Sequence, residues 1–289
     1  MDADRLQPLQ LPQNACVFSI DVEDWFHIMD LRDAPRLERW GSLPSVVERN
    51  FFSLLDMADE RKVRATCFFL GWVAERYPSL VREAASRGHE VASHGYAHDL
   101  VYELTPERFL ADVERAKKLL EDQAGRRVTG YRAPGFSVTA DTPWFFEKLS
   151  QAGYAYSSSV FPASRGHGGM AGFTPDPCIV ETAAGSIREV PITVASMLGK
   201  PMCFFGGGYL RLFPYALIRR MAAKVIRQKR PVVFYIHPRE IDPGHPRLAM
   251  SVARRFKTYV GLKGTHSKLQ KVLRDFSFTP FNQLLSLQN

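Results

Sequence analysis

The sequence predicts an α/β protein organised around a parallel sheet or barrel, and three observations carry that expectation. Short apolar runs alternate with amphipathic stretches along most of the chain, helix start and stop signals separate them, and polar residues follow the apolar runs. In parallel sheets and barrels, functional groups gather at those carboxyl ends of strands.

ACVFSIDVED (residues 15–24) reads as a first strand ending in acids, and PSVVERNFFSLLDMADERK (44–62) as an amphipathic helix. VRATCFFLGWVAERYP (63–78) gives a second strand running into a helix that stops near Pro78. PSLVREAASRG (78–88) is a short helix closing on Gly88, and HEVASHG (89–95) is the next strand. Thr105 as N-cap and Pro106 at the first helical position open PERFLADVERAKKLLEDQAG (106–125). A strand through VTGYRAP, a helix through TPWFFEKLSQAG and a strand near YAYSSSV follow, then a looser region from 162 to 200 rich in Gly and Pro. A helix from Pro214 to Gln228 leads into VVFYI (232–236), a continuous apolar run suited to a strand buried on both faces.

At 289 residues the chain is long enough for one large barrel or two smaller domains. With 45% hydrophobic and 24% charged residues it has the composition of a soluble globular protein, and no apolar run approaches the roughly 20 residues of a membrane span. The polar, proline-containing start lacks the basic and apolar regions of a secretory signal, so a cytoplasmic location is expected. Cys16, Cys67, Cys178 and Cys203 are widely spaced with no CxxC pair, which argues for buried free thiols over a disulfide scaffold or zinc ribbon.

The formal charge is +8, with dense basic runs at 219–230 and 254–271. Such a field attracts anionic substrates, including phosphate-linked ones, and would allow peripheral contact with a membrane surface. Nucleic acid is not expected as a partner, since no recognition motif accompanies the charge. An assembly of identical chains is compatible with the sequence.

Asp21, Glu23 and Asp24 lie within four residues, and carboxylates that close repel unless a cation or protons compensate. His94 and His98 in SHGYAH stand four apart directly after an apolar strand, with Gly95 allowing a sharp turn. Two imidazoles and one carboxylate make a facial set with open positions, the pattern of a catalytic zinc or similar divalent site. Such an ion lowers the pKa of its water and polarises a carbonyl oxygen. Hydrolysis further needs a base and an acid: Asp21 and His237, the latter at the end of VVFYI, are candidates, with Arg132 orienting Asp21 and the backbone at Tyr131 offering an N–H to an oxyanion. His27, His89, His167, His245 and His266 have no comparable company in sequence.

The ordered series DVED, HGYAH, YRAPGFS and FYIHPRE resembles the NodB-like polysaccharide deacetylases, carbohydrate esterase family 4, over roughly residues 15–240. GGGYLRLFP (206–214), HPREIDPGHPR and RFKTYVGLK are similar to segments of a cytoplasmic branch associated with exopolysaccharide loci. The resemblance implies a deformed (β/α)7 barrel at residues 15–245, with an N-terminal arm at 1–14 and a basic C-terminal extension at 246–289 packing on it. It implies a divalent metal, most often zinc, with cobalt, manganese or nickel as alternatives, held by His94, His98 and an acid of the first motif. It implies Asp21 as base, Arg132 as its orienting partner and His237 as acid in removing acetyl from an N-acetylated amino sugar by attack of a metal-bound water. Trp25, Tyr131, Pro134 and Tyr209 are the expected sugar contacts.

Three positions depart from the common pattern. The first motif usually has adjacent aspartates, whereas Asp21 here is followed by Val22, Glu23 and Asp24. Strand alternation places Glu23 on the side of Asp21, while Asp24 has the usual ligand chemistry, so both remain candidate metal ligands. Ser157 stands where aspartate is frequent and Arg239 where an aromatic is frequent. Two other readings compete: a small-molecule amidase acting on a cyclic amide or imide, and a catalytically silent glycan-binding barrel.

Overall fold

The computed structural model describes residues 6–28, 34–164 and 168–287. Among them, strands β1 (Leu6–Pro8), β2 (Cys16–Val22), β3 (Thr66–Phe69), β4 (Glu90–Ser93), β5 (Gly130–Tyr131) and β6 (Tyr156–Ser157) come from the first part of the chain. The second part supplies β7 (Cys178–Thr182), β8 (Gly185–Glu189), β9 (Ala195–Met197), β10 (Lys200–Met202) and β11 (Val232–Ile236). One curled sheet has the order β1-β7-β8-β6-β5-β4-β3-β2-β11. From β8 to β11 every neighbouring pair is parallel, which gives seven parallel strands flanked by helices, a deformed (β/α) barrel.

The helices form where the spacing of apolar residues predicts them. Helix Val47–Glu60 buries Val47, Phe51, Leu54, Leu55 and Ala58, a stripe of one helical face laid on the sheet. Helix Pro106–Ala124 starts on the Thr105 hydroxyl, which accepts the Arg108 N–H at 3.3 Å, and ends at Gly125 in left-handed conformation. β2 is buried along its whole length, as a strand covered by helices and core must be.

Two seams close the barrel where regular pairing runs out. Between the ends of the sheet, the Thr193 hydroxyl donates to Pro231 O at 3.1 Å and accepts from Val233 N at 2.9 Å. Phe205 O accepts from Tyr235 N at 3.1 Å, so the segment before GGGYLRLFP is bridged to β11. At the opposite end of the barrel, the C-terminal helix Phe281–Leu284 is plugged under the strands. Buried Glu90 accepts from the Thr66 hydroxyl, the Tyr156 hydroxyl and Asn282 N, and Phe281 packs on Tyr156 and Phe68.

Two regions differ from the sequence reading. The stretch expected to be loose at 162–200 holds the β7–β8 hairpin and most of the β9–β10 hairpin, which ends at Met202; the turn between β7 and β8 is Ala183–Ala184, without the Asn-Gly or Asp-Gly signal that announces a tight hairpin. Within the expected N-terminal arm, β1 pairs antiparallel with β7 and extends the sheet; residues 1–5 lie outside the described residues. All four cysteines are free and buried.

Candidate active site

The site is assembled at the carboxyl ends of β2, β4, β5 and β11. β2 delivers Asp21, and Glu23, one residue past its end, keeps the alternation and points to the same side. Asp24 turns away. Its carboxylate accepts from the Ser45 hydroxyl at 2.5 Å, Trp25 N at 2.8 Å, Val46 N at 3.2 Å and Val47 N at 3.3 Å, capping helix Val47–Glu60. Burial raises the Asp24 carboxyl, and these hydrogen bonds work against the shift. Of the two acids left open by the sequence, Glu23 is the one beside the histidines.

His94 and His98 leave β4 in a loop, not a helix. Gly95 adopts φ +75°, and a Cβ there would meet Asp112 Oδ2 at 2.9 Å. That carboxylate accepts from Tyr96 N at 2.8 Å and from Ala97 N at 3.2 Å, so the loop is pinned to helix Pro106–Ala124 from below. Burial raises Asp112 to about 6. His94 Nδ1 lies 2.8 Å from Arg132 O; since a carbonyl only accepts, Nδ1 carries the proton and Nε2 keeps its lone pair for the cluster. Burial pulls His94 down to about 4, which keeps it neutral, the form that binds metals. His98 Nε2 is 2.5 Å from Glu23 Oε2.

The donor atoms of Glu23, His94 and His98 lie within 4.8 Å of one another, and all three residues are buried. Apart from the His98 ring nitrogen, no donor reaches Glu23 Oε2 despite its burial. A buried carboxylate oxygen facing two neutral-capable imidazoles is a set that a divalent cation fits, because it compensates the charge that burial would otherwise penalise. Burial alone would raise Glu23, but the His98 and His237 charges outweigh it and hold the carboxyl well below its usual range.

Arg132 is fully buried and forked over the barrel axis. It gives Nη1 to Asp21 Oδ1 at 2.6 Å and to the Ser19 hydroxyl at 2.9 Å, and Nε to Ser158 O at 3.2 Å, with Cζ 4.1 Å from the centroid of the Phe68 ring. Asp21 Oδ2 is thereby left to face His237 Nε2, 3.8 Å away. His237 is held from behind: Nδ1 is 2.9 Å from Glu240 Oε2, and Glu240 Oε1 is 2.9 Å from Arg211 Nε. Burial would lower His237, but Glu23 and Glu240 raise it above the usual histidine value. Glu240 is itself brought down to about 2, with Arg211 and His237 overcoming its burial.

These groups open into a cavity of about 810 Å³. Phe136, Phe161, Tyr235, Tyr209 and Phe256 supply its aromatic lining, and Arg239 enters it with Nη2 3.6 Å from Glu23 Oε1. Of the expected sugar contacts, Tyr209 lines the cavity, half exposed and stacked on Phe213. The other three do not. Trp25 is buried with its indole N–H on Pro44 O at 2.9 Å. Tyr131 alternates with Arg132 and so faces outward, packed on Phe109 and Tyr154, with its carbonyl taken by Ser158 N. Pro134 is buried in a turn whose neighbours Ala133, Gly135 and Phe136 reach the wall. Ser157 is buried with its hydroxyl on Ser159 Oγ, away from the wall.

Sequence reasoning missed four residues at the site. His27 lines the cavity with Nδ1 accepting Asp24 N at 2.9 Å and its ring against Trp40, a placement set by a turn after β2 that no spacing announces. Arg211 and Glu240 support His237; only Glu240, three residues after it, was within reach of a local reading. Phe136 sits in YRAPGFS and was hidden behind Pro134. His167 lies outside the described residues.

Both halves of the chain match known family models. Residues 42–157 match the family model described as polysaccharide deacetylase, and residues 158–286 match a domain of unknown function, DUF3473. The border between the two falls at the end of β6, so the second segment supplies β8, β11 and His237 to the same barrel. A peptidoglycan-N-acetylglucosamine deacetylase of Bacillus cereus is 28% identical over 81 residues, 28% of this chain and 30% of that protein. A chitooligosaccharide deacetylase of Azorhizobium caulinodans is 30% identical over 95 residues, 32% of this chain and 43% of that protein. The matched stretch thus spans less than half of either relative. A solved structure titled as a putative polysaccharide deacetylase from Mycobacterium smegmatis aligns over 98% of this chain and 96% of its own, with TM-score 0.66 and 18% identity. The Puue allantoinase aligns over 94% of this chain and 89% of its own, with TM-score 0.62 and 14% identity, so the fold is shared across different activities.

Proposed function

We propose that this chain, whose residues 42–157 match the polysaccharide deacetylase family model, is a metal-dependent hydrolase that removes acetyl from an N-acetylated amino sugar of a glycan or glycan precursor. The observation that carries the reading is the placement of Asp21 between Arg132 and His237, opening directly beside Glu23, His94 and His98.

Glu23, His94 and His98 would hold the metal, and a zinc-type ion bound there would supply Lewis-acid polarisation of the acetyl carbonyl and a water of lowered pKa. Asp21 takes the proton from the attacking water through Oδ2, the oxygen that Arg132 leaves free. His237, whose affinity for a proton Glu240 raises, gives a proton to the sugar nitrogen as the carbon–nitrogen bond breaks. Water is consumed, and acetate and a free amine leave. Phe136, Tyr235 and Tyr209 offer apolar and stacking surface for the acetyl methyl and the sugar ring.

The test is acetate release from N-acetylated chitooligosaccharides by zinc-loaded protein. Asp21→Asn keeps zinc but loses turnover. Absence of acetate release across N-acetylated glycans, with zinc bound stoichiometrically, would refute the reading.

A further inference from the structure

Six large hydrophobic side chains are exposed among the described residues, and five belong to the elements that form the cavity mouth. Tyr209, Leu212 and Phe256 line it. Val252, 86% exposed, is one turn before Phe256 on helix Val252–Tyr259, and Leu198, 95% exposed, is at the tip of the hairpin whose β10 residues Pro201 and Met202 line it. The two most exposed have no partner that folding would reward. Leu198 is the more telling, since it holds φ +52°, a conformation that costs a leucine energy and that Asn or Gly would adopt more readily. Neither water nor the local backbone accounts for a leucine there.

The same region is strongly cationic. From residue 190 to 274 the sequence has seventeen Lys and Arg and two acidic residues, Glu240 and Asp242. Glu240 is buried against His237 and Arg211, and Asp242 is paired with Arg49, so neither offsets the charge of exposed Lys200, Arg255, Lys257 and Lys263 around the apolar residues. A soluble polyanion is met by charge alone and leaves Leu198 and Val252 in water. A second copy of this chain would set one cationic rim against another. An anionic lipid surface satisfies both features, since its headgroups take the cations and its acyl boundary takes the apolar tips.

We propose that the rim formed by the β9–β10 hairpin, helix Gly207–Leu212 and helix Val252–Tyr259 docks on an anionic bilayer, so that the cavity opens toward glycan held at the membrane surface. The docking deepens the deacetylase reading by naming where its substrate is met, and it is measured separately from catalysis. Among the described residues no helix is long and apolar enough to cross a membrane.

The experiment is co-sedimentation of full-length protein with vesicles of phosphatidylcholine alone and of phosphatidylcholine mixed with phosphatidylglycerol, at low and high salt. Binding is expected only to the mixed vesicles and to weaken with salt. The Leu198→Asn, Val252→Gln double variant is expected to bind about tenfold or more weakly while retaining its acetate release from soluble chitooligosaccharides. Absence of binding to mixed vesicles, or binding that the double variant leaves unchanged, overturns the proposal. So does a wild-type dimer that the double variant splits, since the apolar tips would then belong to a second copy. Vesicle binding without any acetate release would leave docking standing and remove the deacetylase reading instead.

Discussion

The Asp24 carboxylate lies 2.5 Å from the Ser45 hydroxyl and caps the helix that starts at Val47, while Glu23, its neighbour, meets His98 at 2.5 Å. Adjacent acids therefore do different work, and two variants separate them. Glu23→Ala is expected to abolish stoichiometric zinc binding with little loss of fold. Asp24→Ala is expected to keep zinc and lower stability by about 1 to 3 kcal/mol, from the lost cap and the backbone donors it leaves buried. Metal analysis beside denaturant unfolding checks both.

Glu240 connects Arg211 to His237, so it acts on the reaction through a ring it orients. Glu240→Gln is expected to lower kcat by about ten- to hundredfold with KM nearly unchanged. Arg211→Met should fall in the same range, and the double variant should be no worse than the poorer single one, because both break one chain of contacts. Steady-state kinetics on the four proteins decides it.

Tyr209 and Trp25 are expected to part company. Tyr209→Ala removes a stacking face from the cavity wall and should raise KM about five- to tenfold. Trp25→Phe should leave KM unchanged and report only in stability, since its indole N–H is spent on Pro44 O.

His89 is buried beneath the barrel, with Nδ1 accepting Ala65 N at 3.1 Å, and burial pulls it from 6.5 to about 4. A histidine lowered in the folded state stabilises the fold above its ordinary value, and that contribution is lost as pH falls through 6.5 toward 4. Wild-type unfolding free energy is expected to drop by about 2 to 3 kcal/mol more over that window than that of His89→Gln. Denaturant melts at pH 7 and pH 4.5 measure the difference.

Phe281, fully buried between Tyr156 and Phe68, anchors the C-terminal plug. Phe281→Ala should cost about 3 to 5 kcal/mol. Thermal unfolding reads the loss directly.

The strands and helices that carry Asp21, His94, Arg132 and His237 were legible because each is a run of one periodicity ended by a recognisable Gly, Pro or polar group. The hairpins at 178–202 were not: the Ala183–Ala184 turn of the first carries no turn signal and its strands pair with β1 and β6, far away in sequence, while the second is three residues a side with a single glycine, Gly199, to announce it. At the site, the titratable residues could be named because their chemistry is in their identity. The aromatic wall could not: Tyr131 and Trp25 have the right side chains, and one step of alternation or one turn sends each into the core.

By itself the sequence determined the kind of sheet, the acids and histidines at its strand ends, and the buried thiols, all of which follow from local pattern and residue chemistry. Tertiary structure decided which acid stands beside the histidines, and the reason is a contact between distant segments. Helix Val47–Glu60 needs an acceptor at its start, and the chain brings Asp24 to it, 22 residues upstream of Val46, leaving Glu23 to the interior. Packing alone could make that choice, because both carboxylates suit both tasks and only the position of the helix end tells them apart.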